Sequence, residues 1–265
     1  MKNLIKRAIK KILPSRWINI INIAQNYDSY HILPKDQLTY AQDLLYTYNS
    51  AEFMKESLFL EAYNLGKNTD GGLLLKDYDI HWRIHVLCWA ANYAKKLEGD
   101  FVDCGVSTGI FARSVTHYIN FQNTNKKYYL FDTFSGMDSR YSSEYELERN
   151  AILGYSKKTG LYEQVQKTFQ NLNVEIIKGA IPETLSQVTT AKIAYLSIDM
   201  NCVQPEIAAL EFFWDKLVKG GVIILDDYGY PNCEQQKEAH DEFAKNKRVS
   251  ILSLPTCQGI IIKNY

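Results

Sequence analysis

The sequence predicts a doubly wound α/β domain with a mostly parallel sheet, preceded by a helical segment. Two observations predict this fold class. From Gly99 onward, short apolar runs alternate with stretches of helical periodicity, which is typical of a parallel α/β sheet. Four of the five predicted strands end in, or directly beside, an acid or a glycine turn, at the sheet edge where open α/β sheets bind ligands.

The composition indicates one α/β domain with additional elements. The chain has 265 residues, 46% hydrophobic and 23% charged, and its 30 basic and 30 acidic side chains cancel. This balance excludes the strong positive field that recruits nucleic acid. The five cysteines never form a C-x-x-C pair, which indicates a reduced, cytoplasmic chain without a cysteine-rich zinc site. No apolar run approaches the roughly 20 residues of a membrane-spanning helix.

Residues 1–80 are predicted to form a helical N-terminal extension, and residues 81–265 the domain that carries the chemistry. Within residues 1–13, apolar side chains at helical spacing lie opposite lysine and arginine, and Pro14 ends the pattern. Such a helix can lie on the anionic inner face of a membrane, or pack on its own domain or on a second subunit of a homo-oligomer. We favour packing over membrane contact.

The elements of the domain follow from apolar patterning. A stripe at helical spacing predicts a helix over 82–97, ahead of Gly99. Short apolar runs predict strands at 101–104, 128–131, 174–178, 193–198 and 222–225. Further elements are a helix at 110–118, a helix carrying Ile207, Leu210, Trp214 and Leu217, and a terminal hairpin of 249–254 with 259–263. The polar stretch 138–160 is predicted to be a lid-like insertion, because excursions of that length are usually functional or else disordered.

A glycine turn follows the first predicted strand. The pattern D-x-G-x-x-x-G runs from Asp103 to Gly109, and Asp132 ends the next strand, where an acid can accept the hydroxyls of a ribose. The turn and the second acid together indicate a nucleoside-containing cofactor, and both NAD and S-adenosylmethionine fit. The spacing lacks the second glycine that a dinucleotide pyrophosphate requires, and an acid beside the turn suits an ammonium group better than phosphates. This favours S-adenosylmethionine.

Three carboxylates form a second predicted constellation. Asp199 follows the fourth predicted strand, and Asp226 and Asp227 follow the fifth. Carboxylates that converge at one sheet edge repel one another unless a cation neutralises them, and hard oxygen ligands favour Mg²⁺ or a similar divalent ion. Each acid alone is as well explained as a cap of a loop or helix. Together they favour a metal site.

The combined motifs lie between residues 80 and 263. They are GDFVDCGV at 99–106, LFDTFSGM at 130–137, KG at 178–179, ETL at 183–185, ID at 198–199 and LDDYG at 225–229. This set resembles the macrocin-O-methyltransferase-like family, whose members are class I, Rossmann-like enzymes that use S-adenosylmethionine and Mg²⁺ to methylate sugar hydroxyls of natural products. The resemblance implies a seven-stranded sheet with one antiparallel strand. It also implies an O-methyltransferase acting on a small-molecule sugar, a glycan or a glycosylated natural product.

The same resemblance implies roles for individual residues. Asp199, Asp226 and Asp227 would be the metal ligands. The residues that would line the cofactor site are Asp103, Gly105, Ser107, Thr108, Gly109, Asp132, Thr133, Gly179 and Ala180.

The chain departs from the family pattern at Asn201. Relatives carry an acid there, two residues after the first metal ligand, and that acid is their suspected general base. Asparagine cannot take a proton at neutral pH, so Asn201 either orients the substrate, ligates the metal through its amide oxygen, or stands where no base is needed. His240 is a second candidate for the base if its helix points inward. The predicted catalytic residues are therefore Asp199, Asn201 and His240.

Two other functions fit parts of the sequence. A nicotinamide-dependent oxidoreductase uses the same type of sheet, but its G-x-G-x-x-G turn is absent and the Y-x-x-x-K pair of Tyr63 and Lys67 precedes the first predicted strand. A degenerate methyltransferase fold acting as a binding protein is supported by Asn201 and opposed by the complete glycine turn and the three carboxylates.

Overall fold

The computed structural model describes residues 36–72, 75–76, 78–153 and 159–265. The predicted amphipathic segment 1–13 lies outside the described residues. Of the two compact units into which the chain divides, the larger comprises Gln42–Leu45 and Ala51–Tyr265 and contains the sheet, and residues 36–41 and 46–50 belong to the other. Helix Ser57–Asp70, which the sequence analysis assigns to the extension, lies in the larger unit.

The strands and helices of the described residues are numbered in chain order. The strands are β1 (Tyr40–Gln42), β2 (Leu45–Thr47), β3 (Asp100–Cys104), β4 (Tyr128–Asp132), β5 (Val174–Lys178), β6 (Ile193–Ile198), β7 (Leu217–Leu225), β8 (Leu252–Ser253) and β9 (Gly259–Ile262). The α-helices are α1 (Ser57–Asp70), α2 (His81–Ala94), α3 (Ile110–Tyr118), α4 (Glu144–Leu153), α5 (Leu161–Phe169), α6 (Val203–Trp214) and α7 (Glu234–Asn246). Short 3₁₀ helices span Glu52–Lys55, Phe121–Asn123 and Leu185–Gln187.

The main sheet has seven strands in the order β5-β4-β3-β6-β7-β9-β8, and β1 pairs with β2 in a separate two-stranded sheet. Strands β3 to β7 are parallel, β9 runs antiparallel to β7, and β8 runs antiparallel to β9. The strand order reverses between β3 and β6, and ligands of doubly wound sheets bind at the carboxyl end of such a reversal. The predicted fold class is confirmed.

The strand register brings the predicted site residues to one level. Cys104 pairs with Phe131 on one side and Ile198 on the other, and Ile198 pairs with Leu225. The residues one step beyond these four are therefore level at one edge of the sheet, and they are Gly105, Asp132, Asp199 and Asp226. Neighbouring strands lie about 4.8 Å apart, so Asp132 and Asp226, three strands apart, are separated by roughly 14 Å.

The sheet is buried on both faces. One apolar cluster joins Phe101 and Tyr195 of the sheet to Ile84 and Leu87 of α2 and to Val115 of α3. The other cluster joins the alternate strand residues to α6 and α7. Because both faces are covered, β6 is buried at all six positions and reads as one continuous apolar run rather than as an alternating pattern.

Several predicted elements differ from the structure. The extension predicted to be helical also contains the strands β1 and β2, and the helix predicted over 82–97 is α2, which ends at Ala94. Leu217 does not belong to the helix before the fifth strand: α6 ends at Trp214, and Leu217 begins β7 opposite Ile193. Strand β7 is longer than predicted, because Gly220 and Gly221 interrupt the apolar run without interrupting the strand. The terminal hairpin forms as predicted, with a shorter first strand.

The insertion 138–160 contains the helix α4. Ser143 and Glu146 form a capping box, in which the Glu146 carboxylate accepts the Ser143 N–H at 2.7 Å and the Ser143 hydroxyl accepts the Glu146 N–H at 3.3 Å. The other Glu146 oxygen accepts the N–H of Val203, the first residue of α6, at 2.8 Å. One carboxylate thus serves the N-termini of two helices.

All five cysteines are free thiols. Burial raises the pKa of the Cys202 and Cys233 thiols to about 12, which leaves them protonated near neutral pH. Within the described ranges, no helix combines the length and the apolar character that crossing a membrane requires.

Candidate functional site

A cavity of about 370 Å³ lies at the carboxyl ends of the parallel strands. Its lining includes the turn after β3, the ends of β4, β6 and β7, and residues of α4. Six of the predicted cofactor residues line it, and they are Gly105, Ser107, Asp132, Thr133, Gly179 and Ala180. The three predicted metal ligands and Asn201 line the same cavity.

The glycine turn depends on the approach of β3 to β6. Gly105 has a φ of +92°, and a Cβ there would collide with the backbone carbonyl of Asp199. Only glycine has both the backbone freedom and the missing side chain that this contact requires. The turn leads directly into α3, whose N-terminus therefore faces the same edge of the sheet.

Asp132 holds the glycine turn by its carboxylate. One of its oxygens accepts the N–H groups of Val106 at 2.7 Å and Ser107 at 2.8 Å, and the other accepts the N–H of Phe134 at 2.6 Å. Each carboxylate oxygen has two lone pairs, so one acceptor position remains on the second oxygen. The carboxylate can accept one further hydroxyl and not the two ribose hydroxyls that the sequence analysis assigned to it.

Three predicted cofactor residues do not reach the cavity. The Asp103 carboxylate accepts the Tyr128 hydroxyl at 2.8 Å inside the core, where burial raises the pKa of Asp103 to about 7 against the opposing effect of this bond. Side chains along a strand point alternately to the two faces of the sheet. The Asp103 side chain therefore lies in the core on one face and not in the cavity beyond the strand end. Thr108 is buried beside Thr69, and Gly109 faces the Phe169 ring. The assignment of these three to the cofactor site is corrected accordingly.

The acid cluster forms as predicted. Asp199, Asp226 and Asp227 each present a carboxylate oxygen, and the three oxygens lie within 4.8 Å of one another. Burial and the charges of Asp226 and Asp227 raise the pKa of Asp199 well above its usual range. Burial also raises the pKa of Asp226 to about 6, against the charge of Arg83.

Arg83 lines the cavity and was not predicted from the sequence. Its Nη1 donates to Asp226 at 2.5 Å and to Asp227 at 3.1 Å, while its Nε and Nη2 donate to the two Asp43 oxygens at 2.6 and 3.3 Å. The guanidinium is 7% exposed. One sequence feature could have identified it: Arg83 lies one turn before Leu87 on the buried stripe of α2, where a lone cation requires an acidic partner.

The two candidates for the general base differ in position. Asn201 lines the cavity in a left-handed conformation (φ +59°), and its amide donates to Asp199 at 3.2 Å. His240 is buried in α7 with its Nε2 3.0 Å from a carboxylate oxygen of Glu206, stacked on Tyr228, and does not line the cavity. His240 is therefore withdrawn as a base, because α7 turns it into the core.

Comparison with known proteins identifies the family. The family model described as Macrocin-O-methyltransferase (TylF) matches residues 84–252, more than half of the chain. The chain belongs to the macrocin-O-methyltransferase family.

Individual relatives are distant. The 8-demethyl-8-(2,3-dimethoxy-alpha-L-rhamnosyl)-tetracenomycin-C 4'-O-methyltransferase of Streptomyces olivaceus is 27% identical over 158 residues, which are 55% of this chain and 59% of the relative. The solved O-methyltransferase NovP has a TM-score of 0.57 at 19% identity, over 69% of this chain and 80% of NovP. The calicheamicin methyltransferase CalS11 has a TM-score of 0.57 at 14% identity, over 89% and 98% of the two chains. These structures share the class I methyltransferase fold with this chain.

Two residues of α4 complete the cavity in this member of the macrocin-O-methyltransferase family. Arg149 lines it and donates to the backbone carbonyls of Asn201 and Asn232 at 2.6 and 2.8 Å. Asn150 also lines it, is 7% exposed, and has a buried amide oxygen without a hydrogen-bond partner among the described residues. A buried acceptor without a partner fits a ligand that carries an N–H or O–H donor.

The donor set also fits a divalent cation. The cluster and Asp43 carry four carboxylates, against the single positive charge of Arg83. Carboxylate oxygens are the hard ligands that Mg²⁺ prefers, and a divalent cation would reduce the excess negative charge.

Proposed function

We propose that this chain transfers a methyl group from S-adenosylmethionine to a hydroxyl oxygen of a sugar, a glycan or a glycosylated natural product, assisted by Mg²⁺ or a similar divalent cation. The observation that carries the proposal is the sharing of one cavity by the glycine turn and the three-carboxylate cluster. The family supports the reaction type. Since the match spans only 59% of the Streptomyces relative, the activity and substrate of the whole protein are inferred.

The β3–β4 side of the cavity would hold the cofactor. Bound S-adenosylmethionine supplies a methyl carbon activated by a sulfonium centre. Asp132 keeps the turn closed and offers one acceptor to a ribose hydroxyl, and the amide oxygen of Asn150 offers an acceptor to an amino or hydroxyl donor. Apolar side chains from Val106, Ile110, Phe134 and Leu161 line the cavity and would exclude water from an adenine or thioether group.

The β6–β7 side would hold the acceptor. Asp199, Asp226 and Asp227 would hold the divalent cation, which supplies positive charge that lowers the pKa of a nearby hydroxyl. The rings of Tyr78 and Tyr230 also line the cavity, and aromatic faces suit the apolar faces of a sugar. Fixed positions for the two reactants on neighbouring strand ends would supply much of the rate by proximity.

The hydroxyl loses one proton on methylation. Neither Asn201 nor the buried His240 can take it, and the carboxylates of Asp199, Asp226 and Asp227 would be engaged by the divalent cation. We therefore place the proton on solvent that reaches the cavity. No separate general base is assigned.

Three measurements on the purified chain test the proposal. Calorimetry should detect binding of S-adenosylmethionine and S-adenosylhomocysteine and no binding of NAD(H). Transfer of a labelled methyl group to a panel of rhamnosides and other glycosides should require a divalent cation and stop in excess EDTA. Asp199→Asn should lose this transfer, while Asp215→Asn, which removes an exposed acid after α6, should retain it. Binding of NAD(H) without binding of S-adenosylmethionine would refute the proposed function.

The surroundings of the enzyme remain proposals as well. We propose a cytoplasmic homo-oligomer in which residues 1–13 pack on protein, with contact to the inner membrane face as the alternative. Light scattering of the chain with and without residues 1–13 distinguishes the two. Removal of these residues should lower the mass of the oligomer if they pack on a second subunit, and should leave it unchanged if they contact the membrane.

A further inference from the structure

The cluster of Asp199, Asp226 and Asp227 already has a positive charge beside it, the guanidinium of Arg83. We propose that Arg83, fixed by Asp43, is a built-in competitor of the divalent cation, so that the ion binds the three carboxylates only against the charge and the hydrogen bonds of this guanidinium. The inference rests on the proposed function only for its assumption that the cluster binds a divalent ion.

The contacts place Arg83 on the oxygens that a cation would use. One guanidinium nitrogen, Nη1, reaches both Asp226 and Asp227, at 2.5 and 3.1 Å. The second oxygen of Asp226 accepts the Gln258 amide at 2.9 Å, so both oxygens of that carboxylate are occupied by donors. A cation that ligates Asp226 must therefore share an oxygen with the Arg83 guanidinium or with the Gln258 amide, or displace one of them.

Asp43 prevents the guanidinium from leaving by a simple side-chain rotation. Its two oxygens accept Nε and Nη2, the paired geometry in which arginine binds carboxylate most strongly. Asp43 and Leu44 have φ values of +50° and +59°, a left-handed conformation that costs a non-glycine residue energy and persists where the surroundings impose it. The Arg83 guanidinium also lies over the Tyr230 ring, 5.1 Å from its centroid.

The competing view makes Arg83 a positioning residue that aims the carboxylates at the ion. The two views differ in sign. A positive charge beside the ion weakens cation binding by Coulomb repulsion, whereas a residue that aims ligands strengthens it. Removing Asp43 weakens cation binding on both views, because the Arg83 charge is then less compensated and its guanidinium less well held. The sign of the change in Arg83→Met therefore decides between the two views.

The experiment is titration of the full chain with Mn²⁺, by calorimetry and by the electron paramagnetic resonance of free Mn²⁺, without substrate or cofactor. Arg83→Met should tighten Mn²⁺ binding at least about tenfold, which is about 1.4 kcal/mol. Arg83→Lys retains the charge and should stay within about threefold of the parent chain. Asp43→Asn should weaken binding at least about threefold, because it leaves the Arg83 charge less compensated. Arg140→Met is the matched control, since the exposed Arg140 also bridges two carboxylates, those of Asp138 and Glu183, which do not belong to the three-carboxylate cluster.

Opposite shifts in Arg83→Met and Asp43→Asn support competition. Weaker or unchanged binding in Arg83→Met overturns it, as does tighter binding in Asp43→Asn. If circular dichroism shows that Arg83→Met does not fold, Arg83→Gln replaces it. Tighter Mn²⁺ binding in Arg83→Gln and weaker Mn²⁺ binding in Asp43→Asn then support competition. Absence of Mn²⁺ binding from both the parent chain and Arg83→Met also overturns the inference, while S-adenosylmethionine binding, measured separately, tests the cofactor part of the proposed function.

Discussion

The two sides of the cavity stabilise their carboxylates by different means. On the β3–β4 side, the single charge of Asp132 is met by three backbone N–H groups of neighbouring turns. On the β6–β7 side, two of the three carboxylates, those of Asp226 and Asp227, share one guanidinium that comes from α2. Backbone donors belong to the fold and cannot be exchanged, whereas a side-chain cation can be replaced by an ion. The first side is therefore held by the backbone, whereas the second side depends on the side chain of Arg83.

The largest expected effect comes from a change where the two sides of the cavity meet, between the ends of β3 and β6. Gly105→Ala should lower the free energy of unfolding by more than about 4 kcal/mol, because the new Cβ collides with the Asp199 carbonyl and separates β3 from β6. Gly72→Ala is the control, since Gly72 also has a positive φ but nothing within 4 Å of its Cβ position, and should cost about 1–2 kcal/mol. Urea denaturation of both variants measures the difference. Equal losses would show that the approach of the strands is not what requires glycine.

The next prediction separates the functions of the two sides. Asp199→Ala should weaken Mn²⁺ binding about 100-fold, because affinity follows the number of charged ligands, and should leave S-adenosylmethionine binding unchanged. Asp132→Ala should do the reverse, weakening S-adenosylmethionine at least about tenfold, since each charge-assisted bond it removes is worth about 1.5–3 kcal/mol. Calorimetry with both ligands on the same samples measures the pair. A variant that loses both ligands equally would mean that the two sides act as one unit.

A third prediction concerns pH. The pKa of Asp103 is about 7 in the folded chain and 3.8 in the unfolded chain, so the folded state retains a proton that the unfolded state releases between these values. The free energy of unfolding should therefore fall as pH rises from about 4 to 7, by up to about 4 kcal/mol from this group. Asp103→Asn keeps an acceptor for Tyr128 and has no proton to lose, so its advantage over the parent should grow with pH. Parallel pH–stability curves for the two chains would contradict this.

The smallest expected effect concerns Asn201. Asn201→Ala should lower kcat about three- to tenfold, because it removes a neutral hydrogen bond to Asp199 and no proton acceptor. Asn201→Asp should remain active and be faster near neutral pH, since a positioned base typically contributes about 10²–10⁴-fold. Rate–pH profiles of the three chains measure this. An Asn201→Ala chain as inactive as Asp199→Ala would instead mean that Asn201 orients the substrate or ligates the metal through its amide oxygen.

The sequence predicts the strand ends better than the surroundings of the site. Asp132, Asp199 and Asp226 could be placed because parallel strands in register bring their C-terminal residues to one edge. The burial of the Asp103 side chain in the core could not be predicted in this way. A strand that is buried on both faces shows no alternation of polar and apolar residues from which the direction of a side chain could be read.

Long-range partners account for the other misses. The contact of Arg83 with Asp226 joins residues 143 positions apart, and nothing local to α2 specifies which strand end it meets. Helix α4 is a different case: its S-x-x-E capping box, Ser143 to Glu146, is a local pattern that predicts a helix start within the polar insertion.

The two caps made by Glu146 have a consequence for motion. A single carboxylate serves the first turns of α4 and of α6, so the first turn of α4 cannot open without removing the acceptor of the Val203 N–H. Arg149 adds a second link, from α4 to the Asn201 carbonyl. Local opening of the insertion and of the segment after β6 should therefore be one cooperative event, and the amide hydrogens of Glu146 and Val203 should exchange with deuterium at a common rate. In Glu146→Gln the two rates should rise together.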